Sequence, residues 1–249
     1  MATDVVISLL RKLPSAIRRV VRTVTTELSS AMMQTVKKVF PGATLINDRF
    51  HVQQLMSEAV DRLRIRLRRQ VFEEENKAIK EYRAGRKAAK SRTEREAIGQ
   101  WEPCRMANGE TMPQVMAGSR HIILRHESKW NGQQKKRAEV LFERFPKLKE
   151  AYGLSMRLTE LFNKKSTPAQ ARLNLARWYN EVETFGENEF ARVLETFENH
   201  NKTIINYFEE RLTNASAESF NAKIKAFRAQ FRGVGDIKFF MFRLATQYA

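Results

Sequence analysis

The segment "VVRTVTTELSSAMMQTVKKVFPGATLIND", residues 20–48, decides the fold class of this chain. Its first part, residues 20–28, is rich in β-branched side chains and predicts a strand. Residues 29–40 begin with two serines and show helical spacing, which predicts a helix that the following Pro-Gly pair ends. Residues 43–48 form a short apolar run, which predicts a buried strand. Two strands joined by a helix favour a parallel pair, as in α/β domains.

Helices dominate the rest of the prediction. A short helix is predicted over residues 3–13, between Thr3 and Pro14. The run "RHIIL", residues 120–124, fits a strand or a helix. The other predicted helices cover 50–82, 86–98, 112–126, 132–145, 147–163, 167–184, 187–210 and 214–231. We therefore expect a mainly α chain with a small α/β part.

Composition narrows the class of partner. The 249 residues include 45 Lys and Arg against 28 Asp and Glu, which gives a formal net charge of +17. Such an excess favours a polyanionic partner, and nucleic acid is the first candidate. No run of about 18 apolar residues exists, so no membrane span is predicted. A single cysteine, Cys104, fits a reducing cytoplasm, and the four scattered histidines give no zinc spacing.

The predicted terminal helix has two different faces. One face is apolar and is expected to pack on a core; it carries Phe220, Ile224, Phe227 and Phe231. The opposite face combines one carboxylate and one amide with three cations; it carries Glu218, Asn221, Lys225, Arg228 and Arg232. Glu218 either stabilises the helix N-terminus through the helix dipole or binds a metal ion beside a polyanion.

Two further carboxylates follow the predicted strands. Glu27 ends the first strand and Asp48 ends the second. Ligands gather at the carboxyl ends of strands in open α/β sheets. Asp48 alternatively only caps the next helix, and His51 in the first turn of that helix is read as a partly buried side chain. With Glu218, these carboxylates suit two-metal phosphoryl transfer, for which Mg²⁺ is well fitted.

Two basic segments are candidates for phosphate contact. Residues 61–70 contain five arginines, and residues 83–95 contain six more cations. The residues predicted to bind DNA in these segments are Arg62, Arg66, Arg69, Lys87 and Lys90. On the terminal helix they are Asn221, Lys225, Arg228 and Arg232. The alternative is an exposed helix whose cations pair with carboxylates, such as the glutamates at 73–75.

The blocks "FPGATLINDRFHV" and "TNASAESFNAKIKAFRAQFRGVGDIKFFMFRL" resemble the DDE-type transposases of bacterial insertion sequences. The resemblance extends over residues 3–245. It implies a ribonuclease-H-like catalytic domain with a large helical insertion. It also implies three carboxylates that bind Mg²⁺ or Mn²⁺, double-stranded DNA at insertion-sequence ends as the substrate, a homodimer that pairs two ends, and a place in the bacterial cytoplasm.

By the resemblance, Glu218 is the final glutamate of the carboxylate triad. The middle position falls on Glu27, where the family usually has aspartate, and Asp48 is the alternative. The first aspartate of the family lies on a strand before the helix that opens this chain. We therefore expect a C-terminal portion of a transposase, inactive by itself. The competing interpretation is a basic helical nucleic-acid-binding protein, for example a repressor of the full-length enzyme.

This interpretation divides the chain into three parts. Residues 1–50 are predicted to be a partial ribonuclease-H-like α/β segment. Residues 51–212 are predicted to be the helical insertion with its connecting helices. Residues 213–249 are predicted to carry the catalytic helix that completes the ribonuclease-H-like domain.

Overall fold

The computed structural model describes residues 3–230 and 235–248. Two strands are present there, β1 (Thr23–Thr26) and β2 (Thr44–Asn47). The helices are α1 (Thr3–Leu10), α2 (Ser15–Val20), α3 (Ser30–Val39), α4 (Arg49–Ala88), α5 (Arg92–Ile98), α6 (Met112–Gly118), α7 (Arg120–Ile123), α8 (Gly132–Arg144), α9 (Pro146–Asn163), α10 (Pro168–Phe185), α11 (Ala191–Glu210), α12 (Ala215–Gln230) and α13 (Ile237–Tyr248). The chain is thus mainly α with a small α/β part, as predicted.

The strand pair is parallel, which confirms the prediction from residues 20–48. Thr23 lies opposite Thr44, and Thr26 lies opposite Asn47. The connecting helix α3 begins where the serine pair predicts, because the Ser29 side chain accepts a hydrogen bond from the backbone N–H of Met32 at 3.4 Å. Both strands therefore end at the same edge, which brings the residues that follow them together.

The predicted helices are present, with differences at their ends. α4 continues to Ala88, and the single helix predicted over 112–126 is the two short helices α6 and α7. The run at 120–124 is mainly helical. The sequence does not predict α2, because Val20 at its end and Val21 after it are β-branched and favour a strand. α13 was also not predicted, although Asp236 caps it by accepting hydrogen bonds from the N–H groups of Lys238 and Phe239.

The chain divides into two compact units. The first unit comprises Met1–Phe50 and Lys202–Ala249, and the second comprises His51–Asn201. The division falls within α4 and within α11. The assignment of these parts to a ribonuclease-H-like domain and an insertion stays a prediction. Among the described residues, no helix combines the length and the apolar character that a membrane span requires.

The second unit has a closely packed helical core. Trp178 of α10 is 2% exposed, and its indole N–H donates to the carbonyl of Leu154 on α9 at 2.8 Å. Its ring lies 4.8 Å from that of Phe197, centroid to centroid. Other side chains that are fully or almost fully buried in this unit include Met56, Leu63, Met116, Leu141, Leu148, Leu158 and Phe162.

In the first unit, the end of α11 supports the strand pair through polar contacts. The side-chain amide of Asn206 donates to the carbonyl of Leu45 at 2.8 Å. The hydroxyl of Thr203 donates to the side-chain carbonyl of Asn47, which is fully buried. Asn47 in turn donates to the Glu27 carbonyl at 3.2 Å. These bonds fix the carboxyl ends of both strands.

Candidate metal centre

Asp48 follows β2 directly and is 2% exposed. Its Oδ1 accepts the backbone N–H of Phe50 at 3.0 Å, so the predicted capping of the next helix is present. Its Oδ2 accepts the backbone N–H of Asn214 at 2.9 Å, a contact that spans 166 positions of the sequence. A carboxylate has about four lone-pair sites, so each oxygen retains one for a metal ion. Capping and metal binding by Asp48 are therefore compatible.

The bond from Asn214 fixes the helix that carries Glu218. The carbonyl of Asn214 accepts the N–H of Glu218 at 2.8 Å, so Asn214 occupies the N-cap position of α12. Asp48 thus holds the first turn of α12 against the end of β2. Glu218 lies in this first turn and is exposed. The dipole interpretation of Glu218 agrees with this position, and so does the metal-ligand interpretation.

One group of described residues is suited to a metal ion. Asp48, His51 and Glu218 each offer one ligand atom, and these atoms lie within 4.8 Å of one another. Asp48 and Glu218 both belong to the first unit. His51 is the first residue after the division, but it lies in the first turn of α4, which begins in the first unit at Arg49. The continuous helical turn sets its position relative to Asp48.

The donor set fits a divalent cation. Ligand atoms that share an ion at about 2.1 Å lie within about 4.2 Å of one another. The observed upper limit of 4.8 Å is slightly longer than this distance. Rotation of one side chain is enough to close the difference. Two carboxylates supply the oxygen ligands and the negative charge that Mg²⁺ and Mn²⁺ require. The residues present therefore fit a divalent metal ion, and the identity of that ion as Mg²⁺ or Mn²⁺ stays a prediction.

Glu27 occupies a different environment. It is exposed at the end of β1, and the described group of three ligands does not include it. Its backbone carbonyl, rather than its carboxylate, accepts the bond from Asn47. Of the two candidates for the middle carboxylate, Asp48 belongs to the group of ligand atoms that contains Glu218. A metal-binding role for Glu27 stays a prediction.

The apolar face of α12 is buried only in part. Phe227 is 2% exposed and packs on Phe240 of α13 at 5.3 Å between ring centroids. Ile224 is half-buried. Phe220 is 47% exposed, so the prediction that it faces a core is wrong. This ring contact with α13 lies in the second half of α12. Phe231 lies outside the described residues.

The basic face of α12 is exposed where the structure describes it. Asn221, Lys225 and Arg228 are all solvent-accessible, whereas Arg232 lies outside the described residues. In the second unit, Arg69, Lys87 and Lys90 are exposed as well. Their contact with DNA stays a prediction.

Two of the arginines predicted to bind DNA, Arg62 and Arg66, form contacts within the protein. Arg62 donates to the backbone carbonyl of Glu189 at 3.1 Å. Arg66 pairs with Glu189 at 2.7 Å and with Glu187. The Lys147 ammonium and the Arg66 guanidinium hold the pKa of Glu187 below its usual value. Arg66 therefore matches the alternative expectation, in which the cations of this helix pair with carboxylates. Its partner carboxylates, however, lie more than 100 positions away in the sequence.

The fold and the site together define a basic, mainly helical protein with a carboxylate centre at the end of a parallel strand pair. The family model described as "Transposase", for the ISL3 group of DDE transposases, matches residues 2–244. The match covers nearly the whole chain, and the protein belongs to this transposase family. No curated protein and no solved structure shows significant similarity to the chain.

Proposed function

We propose that this transposase binds Mg²⁺ or Mn²⁺ through Asp48 and Glu218 and uses the ion in the cleavage and transfer of DNA strands at insertion-sequence ends. The observation that carries the proposal is the approach of these two carboxylates, which are 170 positions apart in the sequence. A divalent ion bound there supplies charge stabilisation to the attacking and leaving oxygens of phosphoryl transfer.

The protein residues have three tasks in this proposal. Asp48 orients the first turn of α12 through Asn214, which keeps Glu218 near the end of β2. The carboxylates hold the ion. The exposed cations Lys225 and Arg228 lie two and three turns further along α12, where they receive phosphates of the DNA backbone. Because two element ends must be joined, we propose that the protein acts on DNA as a homodimer in the bacterial cytoplasm.

Metal binding can be tested without DNA cleavage. Titration calorimetry with MnCl₂ should show binding to the wild-type chain, and Glu218→Gln should weaken it by about tenfold or more, because a charged ligand is lost. Glu209→Gln is the matched control, since Glu209 is an exposed glutamate of the same unit. Equal Mn²⁺ affinity in the wild type, Glu218→Gln and Glu209→Gln would overturn the proposal.

DNA binding by the described cations can be tested separately. If the protein contacts six to ten phosphates, its affinity for duplex DNA should fall roughly 10³–10⁵-fold between 50 and 200 mM salt. Arg228→Gln should reduce the slope of log affinity against log salt by about one. Arg157→Gln is the control, because Arg157 pairs with Glu181 and is not among the predicted DNA contacts. A slope that is unchanged in Arg228→Gln would exclude this helix from the interface.

A further inference from the structure

We infer that His51 is a third ligand of the metal centre and that it shifts the ion preference of the site from Mg²⁺ towards transition-metal ions. The inference rests on the proposed function, because it assigns a role at the same site. The sequence alone favours an ordinary helix-start histidine at this position. The structure instead places a ligand nitrogen of His51 in the same group as the carboxylate oxygens of Asp48 and Glu218.

The local geometry of the first turn of α4 produces this placement. Asp48 is the N-cap residue, since its Oδ1 accepts the N–H of Phe50. His51 follows three residues later, and residues three apart on a helix lie on the same side. His51 is half-buried, which limits the directions available to its ring. The imidazole is therefore directed to the side of the helix where Asp48 presents its carboxylate.

The remaining ligand comes from the opposite end of the sequence. Asp48 also binds the N-cap backbone of α12, so the first turn of α12 approaches the first turn of α4. Glu218 belongs to that turn. One buried carboxylate thus organises the starts of two helices, and each of these helices contributes one more ligand.

The ligand types determine the ion preference. Mg²⁺ prefers oxygen ligands and retains several water molecules, whereas imidazole suits transition-metal ions. A site of two carboxylates and one imidazole should therefore bind Co²⁺ or Mn²⁺ more tightly than a site with the carboxylates alone. Its affinity for Mg²⁺ should depend little on the imidazole. His51 is thus a residue that determines metal specificity.

The variant experiment compares Co²⁺ and Mg²⁺ binding by titration calorimetry. His51→Gln should weaken Co²⁺ binding by about tenfold or more, because even loss of an outer partner of a metal ligand typically costs 10–100-fold. Mg²⁺ affinity should change less than about threefold. His121→Gln is the matched control, since His121 is exposed in the second unit. Unchanged Co²⁺ affinity in His51→Gln would overturn the inference.

Glu218→Gln separates this inference from the proposed function. Should Glu218→Gln weaken both ions while His51→Gln weakens neither, the carboxylate centre stands and the histidine ligand is wrong. Should Glu218→Gln weaken neither ion, the proposed function fails. A second measurement needs no variant and so does not depend on folding of a mutant. Electron spin echo modulation of Mn²⁺ bound to the wild-type chain should show coupling to an imidazole ¹⁴N, and its absence would overturn the inference.

Discussion

The two units of this protein differ in how far their large apolar side chains are exposed to solvent. In the second unit, Trp178 is 2% exposed and Phe162 is fully buried. In the first unit, Ile237 is 76% exposed and Phe242 is 66% exposed. Other large apolar side chains left exposed in the first unit include Val5, Leu9, Leu13, Ile17, Val20, Phe220, Phe239 and Met241.

This difference indicates which contacts stabilise each unit. Helices of the second unit bury their apolar faces against one another, which gives a closed core. The described residues of the first unit form a parallel pair of two strands, and parallel sheets are normally larger and covered on both faces. Polar contacts at the strand ends, such as those of Asn47 and Asp48, therefore add to the stability that its buried apolar side chains supply. The same contacts position the candidate metal centre.

The largest expected effect concerns the core of the second unit. Trp178→Ala should lower the free energy of unfolding by about 3–5 kcal/mol, because it leaves a large cavity in the core. Leu173→Ala on the same helix is the control, since Leu173 is 54% exposed. Urea unfolding followed by circular dichroism measures both. Similar losses in the two variants would show that the second unit lacks the tight core described above.

A smaller effect is expected in the polar contacts of the first unit. Thr203→Val removes the hydroxyl that donates to buried Asn47 and should lower the free energy of unfolding by about 1–3 kcal/mol. Thr196→Val removes a hydroxyl that bonds only within its own helix, to the carbonyl of Arg192, and should cost less than about 0.5 kcal/mol. If both substitutions lower the free energy of unfolding by the same amount, the strand ends do not depend on the Thr203–Asn47 hydrogen bond.

A pH-dependent effect of about 1 kcal/mol is expected at an ion pair of the second unit. Hydrogen bonds from Arg137 lower the pKa of Glu110 in the folded protein. The stabilisation is therefore present above the unfolded pKa of Glu110 and is lost as the pH falls through its folded pKa. Glu110→Gln should be less stable than the wild type at pH 7.

The acid limit gives the check on this pair. Below the lowered folded-state pKa of Glu110, the stabilities of the wild type and Glu110→Gln should converge, because the carboxyl group is then protonated in both the folded and the unfolded wild type. Glu102→Gln is the control for an exposed glutamate nearby. Urea unfolding at both pH values provides the comparison. A constant difference between wild type and Glu110→Gln would show that the pair is not electrostatic in origin.

The smallest effect on stability is expected at the exposed apolar surface of α13. Contiguous exposed apolar side chains promote association. Replacing Phe239 and Phe242 by serine should change the free energy of unfolding by less than about 0.5 kcal/mol each but should reduce self-association in analytical ultracentrifugation. Leu244→Ser is the control, since Leu244 is 6% exposed and its loss should destabilise the first unit. Unchanged self-association in the double variant would contradict the comparison of the units.

Part of the candidate site could be predicted from the sequence. Glu218 and Asp48 are identified by residue type, by their positions at a helix start and a strand end, and by the resemblance to transposases. Capping by Asp48 follows from its position just before a predicted helix and is confirmed at 3.0 Å. The sequence left Glu27 and Asp48 as alternatives, because both follow strands that end at one edge of the sheet.

The sequence by itself determined the mainly helical class, the parallel strand pair and its connecting helix. These features depend on β-branched runs, caps and the Pro-Gly pair, which act between near neighbours in the chain. Only the tertiary structure decided that Asp48 binds Asn214, that His51 joins Glu218, and that Arg66 is paired within the protein. The physical reason is that most of these contacts join residues more than 100 positions apart, and hydrophobic periodicity records which face is buried but not which distant residue covers it.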